Sequence, residues 1–255
     1  MRAINRDVAG DRVNLHLLSD LHIGSAYTDY ARLEADITAA RDDPNGVVAI
    51  AGDVFDMILP GDEKRFRVDK LHPRVRCNDV VNECLEWACD LLWSVNDKIV
   101  FISEGNHDNK VSKKHSFDPI RDLCEQLGVA RGDYAGLLRL RFNGKKTYNV
   151  GYWHGHGGGA TRMSAVKQSG RLLDIFDGLD ACWTGHRHQR YACPTVRYSP
   201  TPRGLIERKV WLLMSGAYMR NSDYAIEALH PVGDMGSVKL SVALDGKAFK
   251  SEVVL

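Results

Sequence analysis

One repeated junction constrains this chain more than any other feature. Short apolar runs of β-type residues each stop at a small cluster of Asp, His, Asn and Gly. VNLHLLS (13–19) runs into Asp20-Leu21-His22, and GVVAIAG (46–52) into Asp53-Val54-Phe55-Asp56. KIVFISE (98–104) meets Gly105-Asn106-His107-Asp108, TYNVGYW meets His154-Gly155, and the run around ACWT meets Gly185-His186-Arg187-His188. A run of this length with turn residues at its end reads as a buried strand. In open α/β sheets ligands lie beyond the carboxyl ends of strands, so these ends can converge on one crevice. A single D-x-H is commonplace, and a single strand-end Asp is more often a helix cap. The weight lies in the series.

The remaining pattern supplies a scaffold. Helical spacing is read at 28–42, 77–96, 117–127 (closed by Gly128) and 160–177. LLRLRF and TYNVGYWH flank an NG turn and read as a hairpin, as do SVKLSVAL and KAFKSEVVL around DG, and KVWLLMSG is another strand. The expected fold is α/β: a two-sheet β-sandwich with flanking helices and a metal site at the carboxyl ends of strands. No linker divides the chain, so residues 1–255 are expected to form one domain, with the irregular stretch 57–76 an insertion at the site. Trp87 and Trp93 are expected in the core, and Trp153 and Trp183 behind the ligands.

Hydrophobic residues make up 44% of the chain, enough for a sizeable core, and a net charge of +1 names no polyanionic partner. No apolar run approaches the roughly eighteen residues of a membrane span, and the first residues carry no apolar leader segment. A cytoplasmic protein with no membrane association and no obligate protein partner is therefore expected. The cysteines show no CxxC and read as buried free thiols.

The clusters point to metal. Asp20 and His22 alternate at a strand end and would share a face. Imidazole, carboxylate and amide ligands together suit Mn, Fe, Zn or Ni better than Ca or Mg alone. There are too many for one ion, and about the right number for two sharing a carboxylate. Two cations about 3.5–4 Å apart clamp a phosphoryl group and generate hydroxide near neutral pH. They would bring a charge of about +4 against about −2 from Asp20 and Asp53, an excess that favours anionic phosphate esters.

LSDLHIG, AGDVFD, EGNHD, WHG and TGHRH, in this order, resemble the signature of the calcineurin-like metallophosphoesterases. The resemblance spans residues 20–188 and implies a two-sheet sandwich. It places Asp20, His22 and His188 on a first divalent ion and Asn106, His154 and His186 on a second. Asp53 would bridge the two. Mn is the first choice for both ions, with Fe, Zn, Ni or Mg the alternatives. His107 would donate a proton to the leaving oxygen, Asp56 would orient and charge His107, and Asp108 would support the loop. The motifs are most similar to the bacterial and phage phosphodiesterases and the SbcD-type nucleases, which implies a phosphodiester substrate such as DNA, RNA or a nucleotide. Two alternatives remain: a hydrolase resembling UDP-2,3-diacylglucosamine pyrophosphatase, which would need an apolar insertion, and a non-catalytic scaffold on the same fold.

Two weaker features concern substrate. KRFRVDKLHPRVR (64–76) offers Arg65, Arg67 and Arg74 to a phosphate backbone, or is a solvated basic loop balanced by nearby acids. His156, in the unusual run WHGHGGG, is either a solvated loop histidine or a substrate contact.

Overall fold

The structure, a computed structural model, describes residues 1–60, 66–157, 162–202, 204–220, 234–246 and 248–255. In chain order the first strands are β1 (Arg2–Val8), β2 (Arg12–Leu18), β3 (Gly46–Ala51), β4 (Ile99–Ser103), β5 (Ala135–Phe142) and β6 (Lys146–Trp153). They are followed by β7 (Ala181–Thr184), β8 (Tyr191–Thr201), β9 (Gly204–Met214), β10 (Val238–Asp245) and β11 (Ala248–Val254). The helices are α1 (Tyr30–Asp42), α2 (Val80–Trp93), α3 (Asn106–His115), α4 (Pro119–Leu127) and α5 (Arg162–Gly170).

These strands make two sheets, ordered β11-β10-β2-β3-β4 and β1-β5-β6-β7-β9-β8. β2, β3 and β4 are parallel neighbours in one sheet, and β6, β7 and β9 in the other. Leu15, Leu17, Ala49 and Phe101 of the first sheet pack with Leu138, Tyr152, Trp183 and Leu213 of the second, so one apolar layer lies between the sheets. A second cluster joins Ile50 and Ile102 to Leu33, Ile37, Leu85 and Leu123 on α1, α2 and α4. A third, smaller one places Cys182 and Leu212 against Leu172, with Val166 of α5 at its edge. β3 is buried along its whole length because it has apolar partners on both faces. The expected two-sheet sandwich with flanking helices is what the chain forms.

The helices begin where a carboxylate can cap them. Asp29, Asp79 and Asp118 each accept from a backbone N–H in the first turn of α1, α2 and α4. The read helix 77–96 therefore shortens to Val80–Trp93, and 160–177 resolves into α5 followed by a 3-10 turn at Arg171–Asp174. Trp87 is buried, but Trp93 is 62% exposed, contrary to its placing in the core. It is the last residue of α2, where the apolar face has run out. Cys84, Cys124 and Cys182 are buried thiols as expected, whereas Cys77 and Cys193 are exposed and Cys89 is half-buried. Three elements have no counterpart in the sequence reading: β1, β8 and α3. Among the described residues no helix is long and apolar enough to cross a membrane.

Candidate metal centre

The carboxyl ends of β2, β3 and β4 from one sheet and of β6 and β7 from the other open onto the same site. The loops after β2 and β3 continue the parallel pairing beyond the strands, through Asp20 N to Gly52 O (3.0 Å), His22 N to Asp53 O (3.0 Å) and Ile23 N to Val54 O (2.8 Å). Gly185 N donates to His154 O at 3.1 Å and joins the two loops of the other sheet. Asp20 and His22 do converge, but not by strand alternation, because both lie beyond the last residue of β2. Their φ angles are 56° and 48°, and Asp53, His186 and His188 also lie in the left-handed region, at 47°, 71° and 52°. Asp and His tolerate that region better than most residues, yet each such position costs on the order of 1–3 kcal/mol. The surrounding fold holds the ligands where the isolated chain would not.

Asp20, His22 and His188 form one cluster, each with a ligand atom within 4.8 Å of the others. His188 Nε2 stands 3.3 Å from His22 Nε2 and 3.4 Å from Asp20 Oδ1. The other oxygen of Asp20 is occupied: it accepts from Ser19 Oγ and from His186 N–H (2.8 Å). Asp20 Oδ1 itself is buried without a hydrogen-bond donor. Asp53, His154 and His186 form the second cluster. Ala51 O accepts from His154 Nδ1 (2.8 Å), which leaves Nε2 as the nitrogen available to a cation, 3.3 Å from Asp53 Oδ2 and 3.2 Å from Asn106 Oδ1.

These separations are the test of fit for a cation. With metal–ligand bonds of about 2.1 Å, adjacent ligand atoms in octahedral or tetrahedral geometry stand roughly 3.0–3.4 Å apart. Carboxylate, imidazole and amide atoms that face one another at those distances, with Asp20 Oδ1 buried and lacking a donor, fit bound cations. Of the seven residues expected as ligands, Asp20, His22 and His188 come together, as do Asp53, His154 and His186 with Asn106 beside His154, and a third group of potential ligand atoms, His22, Asp56 and His107, adjoins the first. Asp53 sits in the second group, and its Oδ1 accepts from His107 N–H at 2.8 Å.

Asp56 divides its attention. Its carboxylate lies 3.3 Å from His22 Nδ1 and 3.5 Å from His107 Nδ1, while its backbone carbonyl accepts from His107 Nδ1 at 2.8 Å. The hydrogen bond that holds His107 thus comes from the Asp56 main chain and not from the carboxylate of the expected dyad, and the carboxylate lies nearer His22, on the face away from His188. Asp108 supports the loop as expected: it is fully buried and accepts from Gly105 N (2.8 Å), Phe55 N (3.1 Å) and Val54 N (3.4 Å). Burial and the neighbouring Asp53 push its carboxyl up to about 7 against those donors. A side chain at Gly105 would put its Cβ 2.1 Å from Asp53 Oδ1, so only glycine lets α3 begin there.

The weaker substrate residues fare differently. Arg65 lies outside the described residues. Arg67 makes only a bond to Phe66 O (3.3 Å) among them. Arg74 is bonded to Glu83 (3.0 Å) and Asp90 (2.9 Å) and lies over the Trp87 ring, so its guanidinium is taken up by α2. That matches the reading of a basic loop balanced by nearby acids. His156 is exposed, and its backbone N–H reaches Gln168 Oε1 at 3.4 Å. Three partners of the ligand loops went unread in sequence. Ser19 and Arg187 adjoin motif residues, which was an available signal; Gln168 on α5 has none.

The electrostatics of the metal-free site bear on loading. Burial would raise Asp20 and Asp53, but the histidines facing them, His188 and His154, hold both carboxyls well below the usual range. Burial likewise opposes a charge on His154, yet Asp53 and Asp20 outweigh it and push this ring up to about 10. Burial and His154 push His186 down to about 4. At neutral pH a cation must displace the proton of His154, so affinity should rise with pH, by up to about tenfold per unit below that value. Calorimetric titration with Mn at pH 7 in buffers of different ionisation enthalpy should record at least about one proton released. A heat independent of buffer would contradict it.

No known family profile and no curated protein matches the chain. Solved structures similar to it include a dimetal phosphatase from Danio rerio (9% identity, 94% of this chain and 95% of that one, TM-score 0.44). A calcineurin-like phosphoesterase, YfkN from Bacillus subtilis, aligns at 11% identity over 96% and 91% of the two chains, with a TM-score of 0.42. Vacuolar protein sorting 29 from Cryptosporidium parvum aligns at 13% identity over 96% and 97%, with a TM-score of 0.40. Overlaps this loose add nothing to what the site itself shows. The two facing sheets and the two ligand clusters at their carboxyl edge are the arrangement that the resemblance to the calcineurin-like metallophosphoesterases implied.

Proposed function

We propose that this chain is a dinuclear metal-dependent phosphoesterase acting on phosphodiesters, with DNA, RNA or a nucleotide as the substrate class. The observation that carries the reading is the pair of ligand clusters spaced as coordination shells. Two divalent cations, Mn first among them, would supply charge for the phosphoryl oxygens and a nucleophile at neutral pH. Asp53 would be shared between them. His107, held at Nδ1 by Asp56, keeps Nε2 free to carry the proton for the leaving oxygen. Asp56 restrains His22 and His107 together, so the first cation and the acid keep a fixed separation.

Support for a polyanionic substrate rests on cations without a carboxylate. Arg187, between His186 and His188 in the chain, is bonded to Gln168 Oε1 and His156 O and has no acid partner among the described residues; Arg67 likewise has none among them. Mn-loaded protein should hydrolyse bis-p-nitrophenyl phosphate faster than p-nitrophenyl phosphate, and should cleave single- or double-stranded DNA. Activity on the monoester alone, or none on any ester with two ions bound, would refute the reading.

One observation favours a second substrate. Leu59, Pro60, Phe66, Val68 and Leu71 line a groove of about 550 Å³ against Val80 and Val81. The stretch 57–76 is polar in composition, yet among its described residues these apolar side chains face the groove, with Arg76 at its edge. An acylated pyrophosphate such as UDP-2,3-diacylglucosamine would use it, and belongs in the same assay. Preference for it over DNA would move the assignment to a pyrophosphatase.

A further inference from the structure

We propose that Gln168 is the positioning residue of the second metal half-site, an inference that rests on the dinuclear reading above. The two imidazoles of that half-site come from separate loops, His154 at the end of β6 and His186 after β7. Gln168 lies outside both, on α5, and is only 4% exposed. Its Nε2 donates to Gly185 O at 3.1 Å, on the residue before His186. Its Oε1 accepts from His156 N–H at 3.4 Å, two residues past His154, and from Arg187 Nε at 3.2 Å, one residue past His186. Arg187 Nη2 in turn donates to His156 O at 3.3 Å, so amide, guanidinium and peptide form a closed ring across the two loops.

The loops also touch directly, through Gly185 N–H to His154 O (3.1 Å) and His186 Nε2 to Gly157 O (3.1 Å), but among the described residues Gln168 is the side chain from outside them that is bonded to both. One end must donate to a carbonyl while the other accepts from two N–H groups. Of the uncharged side chains only an amide meets both demands at this reach. Gly155, between His154 and His156, completes the case. Its φ is +110°, and a Cβ there would stand 2.2 Å from Gln168 Nε2 and 3.0 Å from His186 Cβ. The backbone at 155 runs against the amide with no room for a side chain. The glycine after His154 is thus a requirement set from α5. Tyr134 Oη donates to Gly155 O at 2.8 Å from the other side and cannot replace the link, since it does not reach the 185–188 loop.

The first cluster depends less on this tie. His22 is held by Asp56 and by its own loop, and Asp20 by Ser19 as well as by His186 N–H, so of its three side chains His188 alone is carried on the 185–188 loop. Loss of Gln168 should therefore fall mainly on the second ion. In Gln168→Met, similar in volume but unable to bridge, the weaker Mn dissociation constant should rise roughly 10–100-fold, the usual consequence of losing a ligand's outer partner. The tighter one should stay within about threefold. At two equivalents of Mn, the exchange-coupled spin-resonance signal of the pair should shrink and that of isolated Mn should grow. Gln168→Asn, too short to span the loops, should behave alike and stands in if the Met variant does not fold. A purely structural role in docking α5 predicts instead that Met is tolerated and that any loss falls on melting temperature, with both ions still bound. Wild-type affinities in folded Met and Asn variants, or equal loss at both sites, would overturn the proposal. Failure of wild-type protein to take up two ions would instead overturn the dinuclear reading.

Discussion

Replacing Asp53 by Asn should cost the protein both cations at once. Asp53 Oδ2 faces His154 Nε2 at 3.3 Å, inside the second cluster. Shared between the two ions, as the resemblance implies, it would also supply half the anionic charge of the pair, the other half coming from Asp20. Asn offers one neutral oxygen and, on the other branch, an N–H₂ that would oppose His107 N–H in place of the acceptor found there. Affinity at both positions should fall more than the 10–100-fold typical of an outer partner, and hydrolysis should become undetectable. Elemental analysis after equilibration with Mn decides three ways. Loss of both ions supports a bridge, loss of only one confines Asp53 to the second cluster, and retention of both removes Asp53 from the site.

His107→Asn should give the opposite pattern: both ions retained and turnover lowered by roughly 10²–10⁴, the usual contribution of a general acid. The side chain of His107 touches Asp56, while its N–H to Asp53 belongs to the backbone and survives the substitution. The deficit should shrink for p-nitrophenolate, which leaves without a proton, and grow for a sugar alkoxide. A variant that loses a metal, or shows the same deficit with both leaving groups, would show that His107 is a ligand or a spacer and not an acid.

The elements were legible wherever local pattern decides them. β2, β3 and β4 follow from short β-branched runs ended by Asp or Gly, and α2 from Cys84, Trp87, Ala88 and Leu92 on one face. β8 was not legible because Pro194 and Pro200 speak against a strand. It is tolerated as the edge of its sheet, where one row of backbone groups needs no partner. α3 escaped because NHDNKVSKKH has almost no apolar residue. Its start is set by Asp108 folding back to Gly105 N, and not by periodicity.

The sequence by itself determined which residues would meet: polar groups placed directly after buried strands have only the carboxyl edge of the sheets to occupy. The expected division of the candidate ligands came from the resemblance of the motifs, in their order, to the calcineurin-like metallophosphoesterases, and not from spacing. Only the tertiary structure decided how those groups are held. Whether Asp56 serves His107 by carboxylate or carbonyl, whether Arg74 is free or spent on Glu83 and Asp90, and that Gln168 ties His154 to His186 depend on distances between residues far apart in the chain. His22 and His188 are 166 positions apart, yet their Nε2 atoms stand 3.3 Å from each other. Such contacts are fixed by the pairing of β2 with β3 and of β6 with β7, and by a left-handed backbone at five ligands. Local propensity records none of this, because the energy that enforces it comes from the packing of the two sheets.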